Sequence, residues 1–173
     1  MFKGIYTILG AIMLSVLTFF YFETKEVEYE ERIAVSGDPI NRESPPCLQM
    51  YYHIETYSEK YGIPKNYAYG IAWKETRYGG PFDWDYNPEQ ESFAGAVGPM
   101  QIMPSTAKLM WKGKEITRKG LKRDIRFNVE TSMKLLRKLY DKYGNWKIVF
   151  GAYNTGKPMI NQYALDVYNY NPR

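Results

Sequence analysis

Apolar positions fall into two regimes along this chain. Gly4 to Phe22 is nineteen residues without a charge, interrupted only by Thr7, Ser15 and Thr18. As a helix rising about 1.5 Å per residue it would extend roughly 28 Å, close to the hydrocarbon thickness of a bilayer. It closes on Thr18-Phe19-Phe20-Tyr21-Phe22, aromatics that suit a membrane interface and not the small residues that a signal peptidase reads. The pattern predicts an uncleaved anchor over residues 1–22. Residues 23–46 show no sustained apolar period and are punctuated by Gly37-Asp38-Pro39 and Pro45-Pro46, as a charged linker would be. From Cys47 onward the period is helical. Helices are expected over Leu48–Tyr61, stopped by Gly62, and over Pro64–Tyr78, stopped by Gly79-Gly80-Pro81. Further helices are expected over Pro104–Trp111, with Ser105 near the cap, and over Asp124–Tyr143, where Val129, Met133, Leu136, Leu139 and Tyr140 recur at three- and four-residue steps. Asn145–Tyr153 and Pro158–Tyr168 complete the set. No run alternates with period two, so the expected fold class is mainly α, over residues 47–173.

Charge changes the picture of what that domain meets. The whole chain of 173 residues carries +4. The linker holds seven acids against three bases, whereas residues 47–173 hold nineteen bases against twelve acids and favour an anionic partner. Nucleic acid, anionic lipid and acidic cell-wall polymer all fit that sign. Lys112–Arg126 alone has seven bases against Glu115 and Asp124, and reads as a solvated loop or as a track for anionic polymer. Lys3 precedes the apolar run and acids follow it, which places the C-terminal part outside the cytoplasm.

The single cysteine, Cys47, excludes an internal disulfide and a cysteine-rich zinc site, and reads as an inert thiol or an intermolecular link. The single histidine, His53, lies in a helical run and excludes the paired-histidine metalloprotease motif. Catalysis must then rest on carboxylates, Lys, Tyr or hydroxyls. Seventeen tyrosines and four tryptophans suit sugar stacking and a tyrosine-rich core equally.

Three stretches carry candidate chemistry. In Ile71-Ala72-Trp73-Lys74-Glu75-Thr76-Arg77-Tyr78, helical spacing puts Ile71, Glu75 and Tyr78 on one face, where a desolvated carboxyl would hold its proton near neutrality. A surface Glu75 paired with Lys74 or Arg77 is the other reading. The second stretch runs from Asn87-Pro88 and Ser92 to Gly95-Ala96-Val97-Gly98-Pro99-Met100-Gln101-Ile102-Met103-Pro104. It is either a close backbone approach beside adaptable side chains, with the Gln101 amide offered to sugar hydroxyls, or a turn entering a core helix. The third, Ala152-Tyr153-Asn154-Thr155-Gly156, offers a hydroxyl and an amide to a cleft, or a helix cap and a core tyrosine.

Taken together the three resemble the soluble lytic transglycosylase (SLT-type) domain, related to goose-type lysozyme, over about residues 48–168. Glu75 matches the family's motif glutamate, with Thr76 in place of the usual Ser. Asn87, Pro88, Ser92 and Gly95 to Pro104 match the second motif, with Pro99 where Leu is usual. Ala152 to Gly156 matches Ala-Tyr-Asn-Ala-Gly, with Thr155 substituted. The resemblance implies a lysozyme-like helical domain behind the anchor, acting on peptidoglycan glycan strands with Glu75 as acid and base. It also implies substrate contacts from Ser92, Met100, Gln101, Met103, Tyr153 and Asn154, and no metal, cofactor or nucleic acid.

One departure bears on mechanism. Eleven residues, Thr76 to Tyr86, separate Glu75 from Asn87-Pro88, where the family has about three, and they include Asp83 and Asp85. A hydrolysing lysozyme generally uses a second carboxylate. A hydrolytic muramidase using Glu75 with Asp83 or Asp85 therefore stands beside the transglycosylase reading, as does a wall-binding assembly factor without turnover. Domains of this kind serve wall remodelling, and envelope-spanning or virion machines. The expected location is a single-pass membrane protein with its domain on the extracytoplasmic side, or a virion membrane if the chain is phage-encoded.

Overall fold

A computed structural model describes residues 40–171. The anchor expected over residues 1–22 and most of the 23–46 linker lie outside the described residues, among which no helix is long and apolar enough to cross a membrane. Seven helices are described: α1 (Pro46–Tyr61), α2 (Lys65–Thr76), α3 (Pro104–Met110), α4 (Arg118–Arg123), α5 (Ile125–Tyr143), α6 (Trp146–Thr155) and α7 (Gln162–Tyr168). The expected mainly helical class is what the described residues adopt.

The core forms around α5, which packs on α1, α3, α4 and α6, while α7 packs on α6 and α2. Six successive residues of α5, Asn128 to Met133, are buried, so this part of the helix has no solvent face. Its polar members are each bonded. The Asn128 amide donates to Val97 O and Leu121 O at 2.9 Å and accepts from Met100 N at 2.9 Å. Glu130 accepts from Lys60 Nζ and from the Tyr61 hydroxyl, both at 3.2 Å. Thr131 accepts from the Trp111 indole at 2.9 Å. Among the described residues no buried side-chain nitrogen or oxygen lacks a partner, as a buried polar group requires.

Several boundaries differ from the expected ones, for local reasons. The helix expected to reach Tyr78 ends at Thr76, because Arg77 turns to the left-handed region at φ 63° and its N–H bonds back to Trp73 O at 3.0 Å. Tyr78 therefore leaves the Glu75 face. It is buried in the core, and its hydroxyl donates to Cys47 O at 2.8 Å. Ser105 does not cap α3; Met103 does, with Pro104 as the first helical residue. The basic stretch Lys112–Arg126 is not simply loop. It contains α4, capped by Thr117 and anchored by the fully buried Leu121. Asp124 and Asn145 cap α5 and α6 through side-chain oxygens. Ahead of α1, Ile40–Pro45 already contacts the helical unit, with Gln49 Nε2 donating to Ser44 O at 2.6 Å and Arg42 paired to Asp124 at 3.1 Å. The sole cysteine and the sole histidine are both buried in α1.

Candidate active site

Glu75 sits in the last turn of α2, half-buried. Ala68, Ile71 and Ala72 bury one side of that helix, and Thr76 fastens its end. The Thr76 hydroxyl donates to Pro99 O at 2.8 Å and lies 2.8 Å from the Tyr86 hydroxyl, all buried. Gln90 Nε2 donates to Thr76 O at 3.1 Å. The residue beside Glu75 thus stitches the helix terminus to the Gly-Pro-Met-Gln loop.

That loop is a tight double turn. Val97 and Ile102 exchange backbone bonds at 3.1 and 3.0 Å, and Val97 also pairs with Glu91. Ser92 closes its start, accepting Ala96 N at its hydroxyl oxygen at 3.0 Å. Gly98 has φ +78°, and a Cβ there would lie 2.4 Å from Asn128 Nδ2. Only glycine satisfies both demands. Gln101 has φ +48°, and its amide nitrogen donates to Gly98 O at 2.9 Å and Gln90 O at 3.3 Å. Its donor end is therefore spent inside the loop.

From the other side, α6 and α7 bring two phenols. Tyr153 donates to Met100 O at 2.7 Å and lies 2.9 Å from the Ser132 hydroxyl. Tyr163, in the first turn of α7, donates to Glu75 Oε1 at 2.5 Å. The link between these helices is compact, since a Cβ on Gly151 would lie 1.7 Å from Met159 O. Asn161, the cap of α7, donates from Nδ2 to Asn154 Oδ1 at 3.2 Å. Lys74 is held by Asp166 at 2.7 Å, and Asp166 in turn accepts from Gln162 at 2.7 Å.

Burial raises the Glu75 carboxyl to a pKa of about 7, opposed by the Tyr163 hydrogen bond and the Lys74 charge. Its place at a helix C-terminus disfavours the anion further. Burial and the nearby Glu75 charge push both Tyr153 and Tyr163 well above the ordinary phenol range, so each remains a neutral donor. A carboxyl poised near neutrality between neutral donors can give a proton and take it back.

The expected site residues divide accordingly. Glu75, Tyr153 and the Met100 carbonyl converge. The Met100 side chain is fully buried in the core, and its carbonyl accepts from Tyr153. Met103 and Asn154 are exposed, and Ser92 and Gln101 are half-buried. Asp83 accepts Gly79 N at 2.9 Å and folds its own loop, where its charge acts on Tyr78 and Tyr86. Asp85 is exposed. Sequence reasoning missed Tyr163, one of seventeen tyrosines without a motif around it. It also missed Asn128 and Ser132, whose signal was polarity four residues apart on the buried face of an apolar helix. Among the described residues no His, Cys, Asp and Glu side chains group as a metal site.

Comparison with known proteins gives a consistent family. A soluble lytic murein transglycosylase of Escherichia coli K12 is 34% identical over 107 residues, 60% of this chain and 15% of that protein. This chain thus spans a small part of that relative. The crystal structure of the 70-kDa soluble lytic transglycosylase from Escherichia coli aligns with TM-score 0.52 and 28% identity, over 68% of this chain and 18% of that one. An inactive mutant of lytic transglycosylase Slt from Pseudomonas aeruginosa, 18% identical, shares the fold at TM-score 0.53 over 76% of this chain and 22% of that one. The family model described as Transglycosylase SLT domain matches residues 53–173, a span holding all three motifs and both phenols, and the chain belongs to that family.

Proposed function

We propose that the domain is a peptidoglycan lytic transglycosylase that cleaves the β-1,4 bond between N-acetylmuramic acid and N-acetylglucosamine. The observation that carries this reading is the Glu75 carboxyl, held near pKa 7 by burial and bonded to the Tyr163 hydroxyl. Protonated Glu75 gives its proton to the glycosidic oxygen as the C1–O bond breaks. The muramoyl acetamido oxygen closes on C1 and carries the developing charge. Glu75, now ionised and steadied by Tyr163, takes the proton of the muramoyl C6 hydroxyl as that oxygen displaces the acetamido group from C1. The product is a 1,6-anhydro ring, formed without water, and Glu75 is protonated again. Ser92, Met103, Asn154 and the Gln101 amide oxygen would face the strand, with Tyr153 and the Met100 carbonyl shaping the floor. Family membership and relatives named murein transglycosylases support this substrate.

The hydrolytic reading needs a second carboxylate at Glu75. The side chains that bear on its charge are Tyr163 and Lys74, while Asp83 turns toward Gly79. No observation favours hydrolysis. The anchor over residues 1–22, an extracytoplasmic domain and service in an envelope or virion machine belong to the same proposal, and rest on the sequence pattern alone. Mass spectrometry of muropeptides released from sacculi by the full chain tests the chemistry. Anhydro ends are expected. Reducing ends, with a large loss in Asp83→Asn or Asp85→Asn, would replace the transglycosylase with a muramidase.

A further inference from the structure

Behind the catalytic helix lies a second concavity. It has a volume of about 750 Å³ and is walled by Tyr51 and Glu55 of α1, Tyr69 and Trp73 of α2, Phe82 and Tyr170. That volume falls in the ordinary range for a small-molecule site. Trp73 and Glu75 are two residues apart on α2, so their side chains diverge by about 200° around the helix. The pocket therefore opens on the reverse side of α2 from the Glu75 carboxyl.

Its walls are built rather than incidental. Tyr51, Tyr69 and Tyr78 form a row, with centroids 6.4 and 6.3 Å apart and the latter pair stacked. Tyr69 donates to Glu55 Oε1 at 2.8 Å, and Lys65 pairs with the other carboxylate oxygen. Both oxygens are thus fixed in direction beside the aromatic row. Gly70 lets the C-terminal segment close on α2, since a Cβ there would lie 2.9 Å from Tyr170 Cβ. The remaining wall, Gly79 to Phe82, comes from the eleven residues between Glu75 and Asn87-Pro88. Tyr51, Trp73 and Phe82 stay exposed at the mouth, at 43%, 38% and 79%.

The lining decides the ligand class. Pro81 is its one aliphatic side chain, and it has none of the Leu, Ile, Val or Met that would line an apolar peptide groove. It offers aromatic faces interleaved with phenols, a carboxylate and the Asn171 amide, which match the C–H faces and hydroxyls of a sugar. A cationic ligand is disfavoured, because Lys65 already neutralises Glu55 and the Arg77 guanidinium lies over the Trp73 ring at 5.4 Å. We propose that this aromatic pocket is a second glycan-binding site, which holds sugar units of a strand on the far side of α2 from Glu75. The identity of the sugar rests on the proposed function; the pocket itself does not.

The test uses the full chain carrying Glu75→Gln, which prevents turnover, labelled with 5-fluorotryptophan. Trp73 is followed by fluorine NMR, with the packed Trp111 and Trp146 as folding controls. The probe is the soluble β-1,4 tetramer of N-acetylglucosamine. The Trp73 line is expected to move saturably in the millimolar range. Adding Tyr51→Ala and Phe82→Ala should weaken that response about tenfold, while the Trp111 and Trp146 lines stay in place. A Trp73 line unmoved by the sugar, moved equally in the double variant, or moved only by phosphatidylglycerol vesicles would overturn the site. Lysis of sacculi by the unsubstituted chain is scored separately. Lysis without a Trp73 response removes the pocket and keeps the catalytic reading, and the converse removes the catalytic reading and keeps the pocket.

Discussion

The Tyr163 phenol donates to Glu75 Oε1 at 2.5 Å from 88 residues further along the chain. Burial favours the neutral carboxyl, and this hydrogen bond favours the anion, so the two set the acid between them. Tyr163→Phe removes only the second influence. The Glu75 pKa should then rise above its present value of about 7. A general acid works while protonated, so the alkaline limb of the pH–rate profile should move to higher pH. The rate below that limb should fall on the order of tenfold, because the bond strengthens as charge develops on Glu75. A pH–rate series on sacculi checks both. An unmoved limb would show that Tyr163 only packs.

Glu75→Gln keeps the shape of the side chain and removes its proton. Lysis should drop by about 10²–10⁴-fold or more, with the circular dichroism spectrum unchanged. The same variant makes a stability prediction of definite sign. The folded carboxyl holds its proton to about pH 7, whereas the unfolded one loses it near the ordinary value of 4.5. Stability linked to Glu75 is therefore present at low pH and is lost as pH rises from that value through about 7. Glu75→Gln should melt above the unsubstituted chain at pH 8, and the gap should close below about pH 4. Thermal melts at the two pH values decide it, and a gap that widens in acid would contradict a desolvated carboxyl.

How much of this was legible in the sequence depended on whether the contact was local. The α5 period and a helix beginning at Asn145 each lie within a few residues and can be read from order alone, whereas Glu75 stands out only once the three motifs are taken together. The Tyr163 contact cannot be read that way, because it is made by packing α7 onto α2 and α6, and Tyr163 itself belongs to none of the three motifs. The same holds for Met100. Its place in a motif suggested a groove residue, but three-dimensional packing drew the side chain into the core and left only its carbonyl to Tyr153. Tyr78 fell off the predicted face for a subtler reason, since a left-handed Arg77 carries no compositional signal of the kind that glycine would.

Thr76 stands where the resembled motif has Ser, and its hydroxyl has partners that either residue could reach. It donates to Pro99 O and meets the Tyr86 hydroxyl, with all three buried. Thr76→Ser should cost well under 1 kcal/mol and keep most activity, because the hydroxyl is retained. Thr76→Val is nearly isosteric but leaves both partners buried and unbonded, at a cost of about 1–3 kcal/mol. Urea unfolding of the two variants gives the comparison. Equal midpoints would mean that the hydroxyl is not what ties the Glu75 helix end to the loop.

Asn128 makes three side-chain hydrogen bonds to buried backbone groups behind the site, without touching Glu75. From the first turn of α5 it bonds Met100 N, Val97 O and Leu121 O, each at 2.9 Å, and so holds the motif loop, α4 and α5 together. Asn128→Leu preserves volume and strands the buried Met100 N–H and Leu121 O, while Val97 O keeps its bond from Ile102 N. The expected loss is roughly 3–5 kcal/mol, a large share of the 5–15 kcal/mol typical of a domain. Asn128→Asp separates geometry from charge. At pH 7 it turns an anion toward two carbonyl oxygens and should destabilise at least as much. On acidification the carboxyl gains one donor, so part of the stability should return as pH falls toward the ordinary carboxylate range. Urea midpoints measured from pH 7 down to pH 4 test the sign. If Asn128→Leu stayed within 1 kcal/mol of the unsubstituted chain, the Gly98–Met100 loop would have to be held by its own turns, and Asn128 would be a passenger in the core.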